Sequence, residues 1–257
     1  ETQVRFSDLR PYSQQINGTL LFVSNWKLKN STEVTGDLEL FGGTIDLNGH
    51  ELVINGNLYQ SGGQLKINKG KLNVNGDYRI QSIVTQEGNT TFAKSNGQLF
   101  MKHTSDEVLV KGDFVTQSTK DHNSNSKPNL KAGTLTVQGN FSQLKGKGEK
   151  DNFYTEKSHK VVLAGDKQQV VHFDNPGNSH FTRLDLKNES DSGIKFETQV
   201  RFSDLRPYGN KISGILSFVP DWKIQKDTTI TGDLELTGGT VDLNGSKFTV
   251  NGSLYHS

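Results

Sequence analysis

Apolar residues of this chain recur as spaced pairs, with one residue between the two members. Between Thr35 and Ile54 the pairs are Leu38/Leu40, Ile45/Leu47 and Leu52/Ile54, and they start seven residues apart. Alternation of this kind is typical of a short β-strand with one buried face. Gly and Asn occupy the joints between pairs, where a positive φ is needed and a Cβ is costly. The pattern therefore predicts three short strands joined by three corners.

The same phrase returns after 20 residues. Glycine recurs at that interval, at Gly36, Gly56 and Gly76. Stacked parallel strands explain such a period, because residue i then lies above residue i+20 at the strand spacing of about 4.8 Å. Outward positions agree, since Asp46 aligns with Lys66 and Glu51 with Lys71. We predict an all-β fold, a parallel β-helix (β-solenoid) with triangular coils of 20 residues.

Two other fold classes fit the sequence less well. No segment keeps an i, i+3, i+4, i+7 apolar stripe over three turns, and glycine is too frequent for helix interiors. A sandwich or barrel of short strands would not need the same residue type at every 20th position.

A longer repeat contains the shorter one. The segment ETQVRFSDLRPY at 1–12 returns at 197–208, and 38 of the last 61 positions match the first 61. We interpret residues 1–196 as one full long repeat and 197–257 as the start of the next, within a single continuous β-solenoid over 1–257. Polar stretches at 119–127 and 145–151 predict longer corner loops in the middle of the chain.

Composition narrows the function classes. The 31% hydrophobic content with 27 Gly is lean for one compact core but suits a narrow, elongated one. A net charge of +1 gives no general electrostatic case for nucleic acid or an anionic membrane. The absence of cysteine excludes disulfides and thiol catalysis. No apolar run approaches about 20 residues, so we expect no membrane insertion.

Two phrases carry a resemblance to a known class of proteins. They are GDLELFGGTIDLNGHELVINGNLYQS from Gly36 and SHKVVLAGDKQQVVHFDNPGNSHFTRLDL from Ser158. They resemble the long repeats of very large bacterial surface proteins, chiefly from Gram-positive and clostridial-type bacteria. More distantly, they are similar to the β-helical stalks of filamentous-haemagglutinin-like adhesins. The resemblance covers nearly the whole chain and includes no catalytic signature.

The resemblance implies a right-handed β-helix that is secreted or lies at the bacterial cell surface or cell wall. It implies a role in adhesion, matrix or spacing. The expected partners are neighbouring repeats of the same chain, with a glycan or another surface protein as a further partner. Uncapped coils at each end also predict end-to-end self-association.

An aromatic set kept in both copies is the first candidate for ligand contact. It contains Trp26, Trp222, Tyr12 and Tyr208, together with Phe22 and Phe218. An exposed row of these rings would suit stacking against sugars, whereas inward rings would fill the core. The four-residue spacing of Phe22 and Trp26 places both on one side of a strand and favours the core.

Polar candidates cluster around the DNPG turn. His172, Asp174 and His180 would serve there as metal ligands or an acid–base group, or simply as surface residues beside a turn. The GG-x-x-x-D phrases at Gly42 and Gly238 are faintly similar to a calcium-binding repeat, but corner glycines explain them better. We expect no metal and no cofactor.

We predict a structural or adhesive repeat module, a stalk or spacer, without catalysis. The alternative is a carbohydrate-binding β-helix that uses protruding loops or aromatic residues. A polysaccharide lyase or hydrolase is the third hypothesis. The carboxylates available to an enzyme, Asp37, Glu39 and Asp46, lie in the most regular coils, whereas active sites lie where regularity breaks.

Overall fold

The structure is a computed structural model. It describes residues 4–6, 15–22, 25–121, 129–148, 152–209, 211–214, 217–218, 221–236 and 238–256, with the backbone alone for 4–6, 21–22 and 217–218. The predicted corner loops at 119–127 and 145–151 fall partly outside these ranges.

The described residues form β-strands and turns, with no helix among them, which confirms the all-β prediction. The first strands are β1 (Val4–Phe6), β2 (Gln15–Ile16), β3 (Leu20–Phe22), β4 (Trp26–Lys27), β5 (Thr32–Val34), β6 (Leu38–Leu40), β7 (Thr44–Asp46), β8 (Glu51–Ile54), β9 (Leu58–Gln60), β10 (Gln64–Lys66), β11 (Lys71–Val74), β12 (Tyr78–Gln86), β13 (Asn89–Lys94), β14 (Gln98–Phe100), β15 (Glu107–Val110) and β16 (Phe114–Thr116). The remaining strands are β17 (Thr134–Val137), β18 (Phe141–Gln143), β19 (Lys160–Leu163), β20 (Gln169–Phe173), β21 (His180–Leu186), β22 (Ile194–Phe196), β23 (Arg201–Pro207), β24 (Lys211–Gly214), β25 (Ser217–Phe218), β26 (Asp221–Lys223), β27 (Thr228–Thr231), β28 (Leu234–Leu236), β29 (Val241–Asp242), β30 (Phe248–Val250) and β31 (Leu254–His256).

These strands are shared among four sheets. The first sheet has 13 strands, in the order β1-β3-β6-β9-β12-β16-β18-β20-β22-β24-β27-β30, with β13 attached to β12. The second has 11 strands, β2-β5-β8-β11-β15-β17-β19-β21-β23-β26-β29. The third has four, β4-β7-β10-β14, and the fourth has three, β25-β28-β31. The chain visits the sheets in turn, as in β6, β7, β8 and then β9. Long parallel sheets visited in this way are consistent with a β-solenoid.

The spaced apolar pairs point inward, as predicted. Leu38, Ile45 and Leu52 are fully buried, and Leu65 is 1% exposed. Residues 20 apart in sequence pair directly. Lys66, for example, is the register partner of Asp46. The buried residues of all the sheets join one hydrophobic cluster. The core is therefore a narrow stack in which each strand packs on the strands before and after it.

One corner is held by a ladder of Gly-Asx pairs. The Asn57 amide donates to Asp37 Oδ1 over 2.6 Å, and the Asp77 amide donates to Asn57 Oδ1 over 2.8 Å. Beside it, the Gly76 amide donates to the Gly56 carbonyl over 3.0 Å. A Cβ on Gly76 would lie 2.9 Å from that carbonyl oxygen, which is too close for any other residue. The G-[DN] phrase of the sequence is the signature of this corner.

A β-hairpin interrupts the regular stack, and the sequence analysis did not predict it. The register partners Tyr78 and Phe114 are 36 residues apart, because β12 runs on and folds back as antiparallel β13. The turn residues Glu87 and Gly88 both have positive φ, 51° and 79°, as a two-residue hairpin turn requires. The Phe92 ring stacks on Tyr59 at 5.9 Å between centroids, which anchors the hairpin to the strand stack.

The two copies of the long repeat pair alike but lie in different sheets. Trp26 is paired with Ile45 in the third sheet, whereas the equivalent pair, Trp222 with Val241, lies in the second sheet. The chain passes from β24 in the first sheet through β25 in the fourth to β26 in the second. The fourth sheet thus takes the place in this order that the third sheet takes near β7.

Candidate ligand-binding surface

The two tryptophans are core residues. Trp26 is 1% exposed and Trp222 is 2% exposed. Their register partners Ile45 and Val241 occupy the inward position of the same ladders, and Trp222 also meets the edge of Phe248 at 5.2 Å. Neither ring can therefore belong to an exposed platform for sugars, and that hypothesis is wrong for these two residues.

Of the two tyrosines of the same set, the structure describes Tyr208. Tyr12 lies outside the described residues. Tyr208 is half-buried, and the Lys187 ammonium lies 5.1 Å from its ring centroid. The ring face that a sugar would use is thus shared with a cation.

His172 is held between two carboxylates. Its Nε2 lies 2.8 Å from Asp174 Oδ1, and its Nδ1 lies 3.1 Å from Glu197 Oε2. The Lys145 amide donates to the other oxygen of Asp174 over 2.7 Å. Burial acts to raise the pKa of Asp174, but these hydrogen bonds outweigh it and the pKa is lowered. The group ties neighbouring strands together at the surface.

His180 does not join that group. It begins β21, where its ring meets the Tyr154 ring edge-on at 4.4 Å between centroids. Burial, with a smaller contribution from Arg201, lowers the pKa of His180 to about 4. The predicted proximity of His172 and Asp174 is therefore correct, whereas the inclusion of His180 in the same cluster is wrong. Among the described residues, no three His, Asp or Glu side chains are grouped so as to hold a metal.

A different cluster, not suggested by the sequence, lies where the third sheet continues as single bridges. Met101 pairs with Leu130, and Leu130 pairs with Thr155. These bridges place Lys102 and Lys131 on neighbouring rungs and bring Lys157 to the next one. We call these three residues the lysine ladder. Their spacings of 29 and 26 residues follow no sequence period, so only the stacking of the fold reveals the cluster.

The ammonium groups of the lysine ladder are close enough to affect one another. Contact with the Lys157 ammonium, more than burial, lowers the pKa of Lys131. Lys102 adds to this effect, and Glu156 opposes it. In the described part of the chain, no carboxylate forms an ion pair with any of the three ammonium groups.

Two grooves flank the lysine ladder. The first, of about 370 Å³, is lined by Gln64, Lys66, Asn68, Phe100, Lys102 and His103. The second, of about 430 Å³, includes Thr104 and extends past Lys157 and Lys160 to Arg206. Hydroxyl groups are frequent in its lining, from Thr104, Thr134, Ser158, Thr182 and Ser203. Because His103 of the first groove and Thr104 of the second are adjacent in sequence, the two basic grooves adjoin, and hydroxyl groups line the second.

His159 is a buried polar residue in the lining of the second groove. It is 1% exposed, and neither ring nitrogen has a hydrogen-bond partner among the described residues. Burial lowers the pKa of His159 to about 3, so the imidazole is neutral at pH 7. An unpaired buried polar group of this kind costs about 1–3 kcal/mol.

Comparison of the chain with protein-family models, with curated proteins and with solved structures finds no match. Within the described ranges, no helix has the length and apolarity needed to cross a membrane.

Proposed function

We propose that this chain is a stalk or spacer module, a structural or adhesive repeat of a giant bacterial protein at the cell surface or cell wall. In this proposal the fold is a right-handed parallel β-helix with triangular coils of about 20 residues, lengthened at corners in the middle. Neighbouring repeats of the same chain are its first partners.

The continuity of the strand ladders carries the proposal. The first sheet runs from β20 through β22 to β24, and the second from β21 through β23 to β26. Both sheets therefore continue without a break past Glu197, where the second copy of the long repeat begins. Each strand is hydrogen-bonded to the strands before and after it, and such a stack resists bending because every backbone group is already paired along the axis.

The carboxylates considered for catalysis support a structural role. Asp37 Oδ1 accepts the Asn57 amide, and Glu39 Oε1 accepts the Ser61 hydroxyl over 2.5 Å. Asp46 Oδ1 accepts the Asn48 amide over 2.9 Å. Each acid thus caps a corner or a neighbouring strand, so we propose no catalytic role.

Carbohydrate binding remains the second candidate. The tryptophans no longer support it, since both are buried. The grooves beside the lysine ladder and the projecting β12–β13 hairpin support it instead.

Distances between spin labels test the rod. The wild-type chain has no cysteine, so pairs of single cysteines can be labelled cleanly. Glu33→Cys would be combined in turn with Thr136→Cys, Lys223→Cys and Asp242→Cys, which lie four, eight and nine strand steps away in the second sheet. We expect narrow distributions near 19, 38 and 43 Å, at about 4.8 Å per step. Distances that stop growing with the number of steps would contradict the proposal.

A further inference from the structure

Opposite charges face each other between several neighbouring rungs of the second sheet. Arg183 Nε lies 2.7 Å from Asp185, and Arg206 Nη2 lies 2.7 Å from Asp204. The register sets Arg183 beside Asp204 and Asp185 beside Arg206, so opposite charges also face each other between rungs. Lys71 likewise bonds Glu107 on the next rung over 2.9 Å.

In the lysine ladder, by contrast, like charges lie on neighbouring rungs. Like charges directly opposite each other on adjacent strands are unfavourable. No carboxylate of the described residues forms an ion pair with Lys102, Lys131 or Lys157. The arrangement is therefore suited to a negative charge from outside the chain.

The shape of the surface restricts what supplies that charge. It extends over five strand steps, from β10 through the bridges at Leu130 and Thr155 to β23, or about 24 Å at 4.8 Å per step. Hydroxyls line its second groove beside the cations. The unpaired, buried imidazole of His159 in the same lining gives an independent sign that a polar partner is missing.

We propose that the lysine ladder and its two grooves bind a linear acidic polysaccharide. Carboxylate or sulfate groups of the glycan meet the ammonium groups, and sugar hydroxyls meet the Thr and Ser side chains. Single-stranded nucleic acid fits less well, because its sites need free aromatic faces for base stacking. The phenyl ring in the first groove, Phe100, has the Lys102 ammonium 5.3 Å from its centroid. This proposal names the glycan class for the second candidate function and does not depend on the stalk role.

Binding of polygalacturonate to the full chain tests the site. The triple variant K102Q/K131Q/K157Q should lower the affinity by about tenfold or more, since it removes three charge contacts. The matched control K111Q/K167Q/K195Q removes the same charge from exposed lysines elsewhere and should bind within about twofold of wild type. The ladder variant should keep or raise the melting temperature, because it relieves repulsion.

Several results would overturn this site. They are no binding by wild type, equal losses in the two triple variants, or unchanged binding in the ladder variant. Binding of neutral dextran that the ladder variant also loses would refute the acidic class. Poly(U) binding of equal strength, lost in the same variant, would assign the surface to nucleic acid instead.

A second inference follows from the sheets that the two copies occupy, and it rests on the β-solenoid of the proposed function. From β3 to β24 the first sheet makes eight strand-to-strand steps. The equivalent of β3 is then β25, which lies in the fourth sheet and not in the first. The strands after β3 shift in the same way, since β26 and β27 are the equivalents of β4 and β5.

We infer that each 196-residue repeat advances by eight turns plus one face. A surface feature such as the β12–β13 hairpin would then appear on a different face in each successive repeat and return to its first face after three. At about 4.8 Å per step, the feature would recur about every 40 Å along the rod. A stalk built in this way displays its projections all round its axis.

Disulfide formation in the full chain tests the shift. Asp204→Cys with Asp221→Cys should cross-link, because the two residues are register partners and rungs lie about 4.8 Å apart, within disulfide range. If the repeat advanced by whole turns, β24 would follow β21 in the second sheet in the register of β2, and Asp185→Cys with Lys211→Cys would close instead.

Asp46→Cys with Lys66→Cys serves as the control, because both residues lie inside the first copy. Failure of the control would overturn the stacked fold and with it the proposed function. Closure of the control and of the 185–211 pair, without the 204–221 pair, would overturn the face shift alone.

Discussion

The strands in residues 15–60 and their equivalents in residues 211–256 pair in the same registers but belong to different sheets. Ile16 pairs with Val34 in the second sheet, and the equivalent Ile212 pairs with Ile230 in the first. Pairing is therefore set locally, by which side chains match on neighbouring strands. The sheet that a strand enters is set by the number of corners that precede it. The similar sequences of the two copies thus set the same register without setting the same position around the axis.

The two copies also differ in their surroundings. Ile45 is fully buried and has strand neighbours on both sides, whereas Val241 is only partly buried and its strand ends the second sheet. Matched substitutions at equivalent positions can therefore separate what the sequence contributes from what the neighbouring rungs contribute.

The largest effect is expected for a charge in the core of the first copy. Ile45→Asp should lower the free energy of unfolding by about 4 kcal/mol or more, because it buries an unpaired carboxylate between Trp26 and Leu65. Val241→Asp should cost about 1–2 kcal/mol, because the carboxylate can reach water. Urea unfolding of the two variants measures both values. Equal losses would show that the copies are equivalent after all.

A glycine pair isolates the effect of the rung below. Gly18 and Gly214 are equivalent and have similar φ, 96° and 98°. An added Cβ meets no described atom within 4 Å at Gly18, but it would collide with the Phe196 carbonyl at Gly214. Gly18→Ala should cost about 1–2 kcal/mol of backbone strain, and Gly214→Ala should cost clearly more. Thermal unfolding of both variants checks this, and a larger loss at Gly18 would refute the placement of β24.

Acid should destabilise the part of the chain that occurs in one copy only. The pKa of His159 is about 3 when folded and about 6.5 when unfolded. Below pH 6.5 the unfolded state binds more protons than the folded state. The free energy of unfolding therefore decreases as the pH is lowered, by about 2 kcal/mol at pH 5. His159→Leu should remove this contribution. Unfolding curves at pH 7.5 and 5.0 measure it, and identical pH dependence in the variant and wild type would contradict the buried, neutral imidazole.

The smallest effect is expected for an outward exchange between the copies. Glu51 stacks beside Lys71, and the second copy has Lys247 at the equivalent position. Glu51→Lys removes a favourable neighbour on the surface and should cost about 0.2–1 kcal/mol. Lys247→Glu provides the reverse exchange and should cost a similar amount, because it sets a second carboxylate beside Asp227 on the neighbouring rung. A cost above about 2 kcal/mol for Glu51→Lys would mean that surface charge sets the register, contrary to the local apolar account.

Much of the fold could be predicted because it depends on local patterns of residue types. The spaced apolar pairs became inward strands, and the outward alignments of Asp46 with Lys66 and Glu51 with Lys71 were confirmed. The ion pairs were less predictable, since Lys71 bonds Glu107 and not Glu51. Alignment follows from the period, but the partner of a long side chain depends on the insertion that brings β15 to the next rung.

The features that were missed depend on counting along the stack. The hairpin had a local signal, Glu87-Gly88 between polar and apolar strand residues, but the loosened period after Ile80 obscured it. The lysine ladder joins residues from rungs of unequal length, so no spacing reveals it. The face shift needs the number of corners between the copies. Such properties arise from the path of the chain, and a residue pattern alone cannot supply them.

Contacts between methyl groups on either side of Glu197, where the second copy begins, test the central claim. That claim is that one stack runs through both copies with a shift of one face. Ile194, Ile212 and Ile230 are fully buried register partners in the first sheet. In a sample labelled at isoleucine and leucine methyls, the account predicts nuclear Overhauser cross-peaks from Ile212 to both Ile194 and Ile230. Absence of the Ile194–Ile212 cross-peak, with a cross-peak from Ile212 to Leu186 in its place, would contradict it.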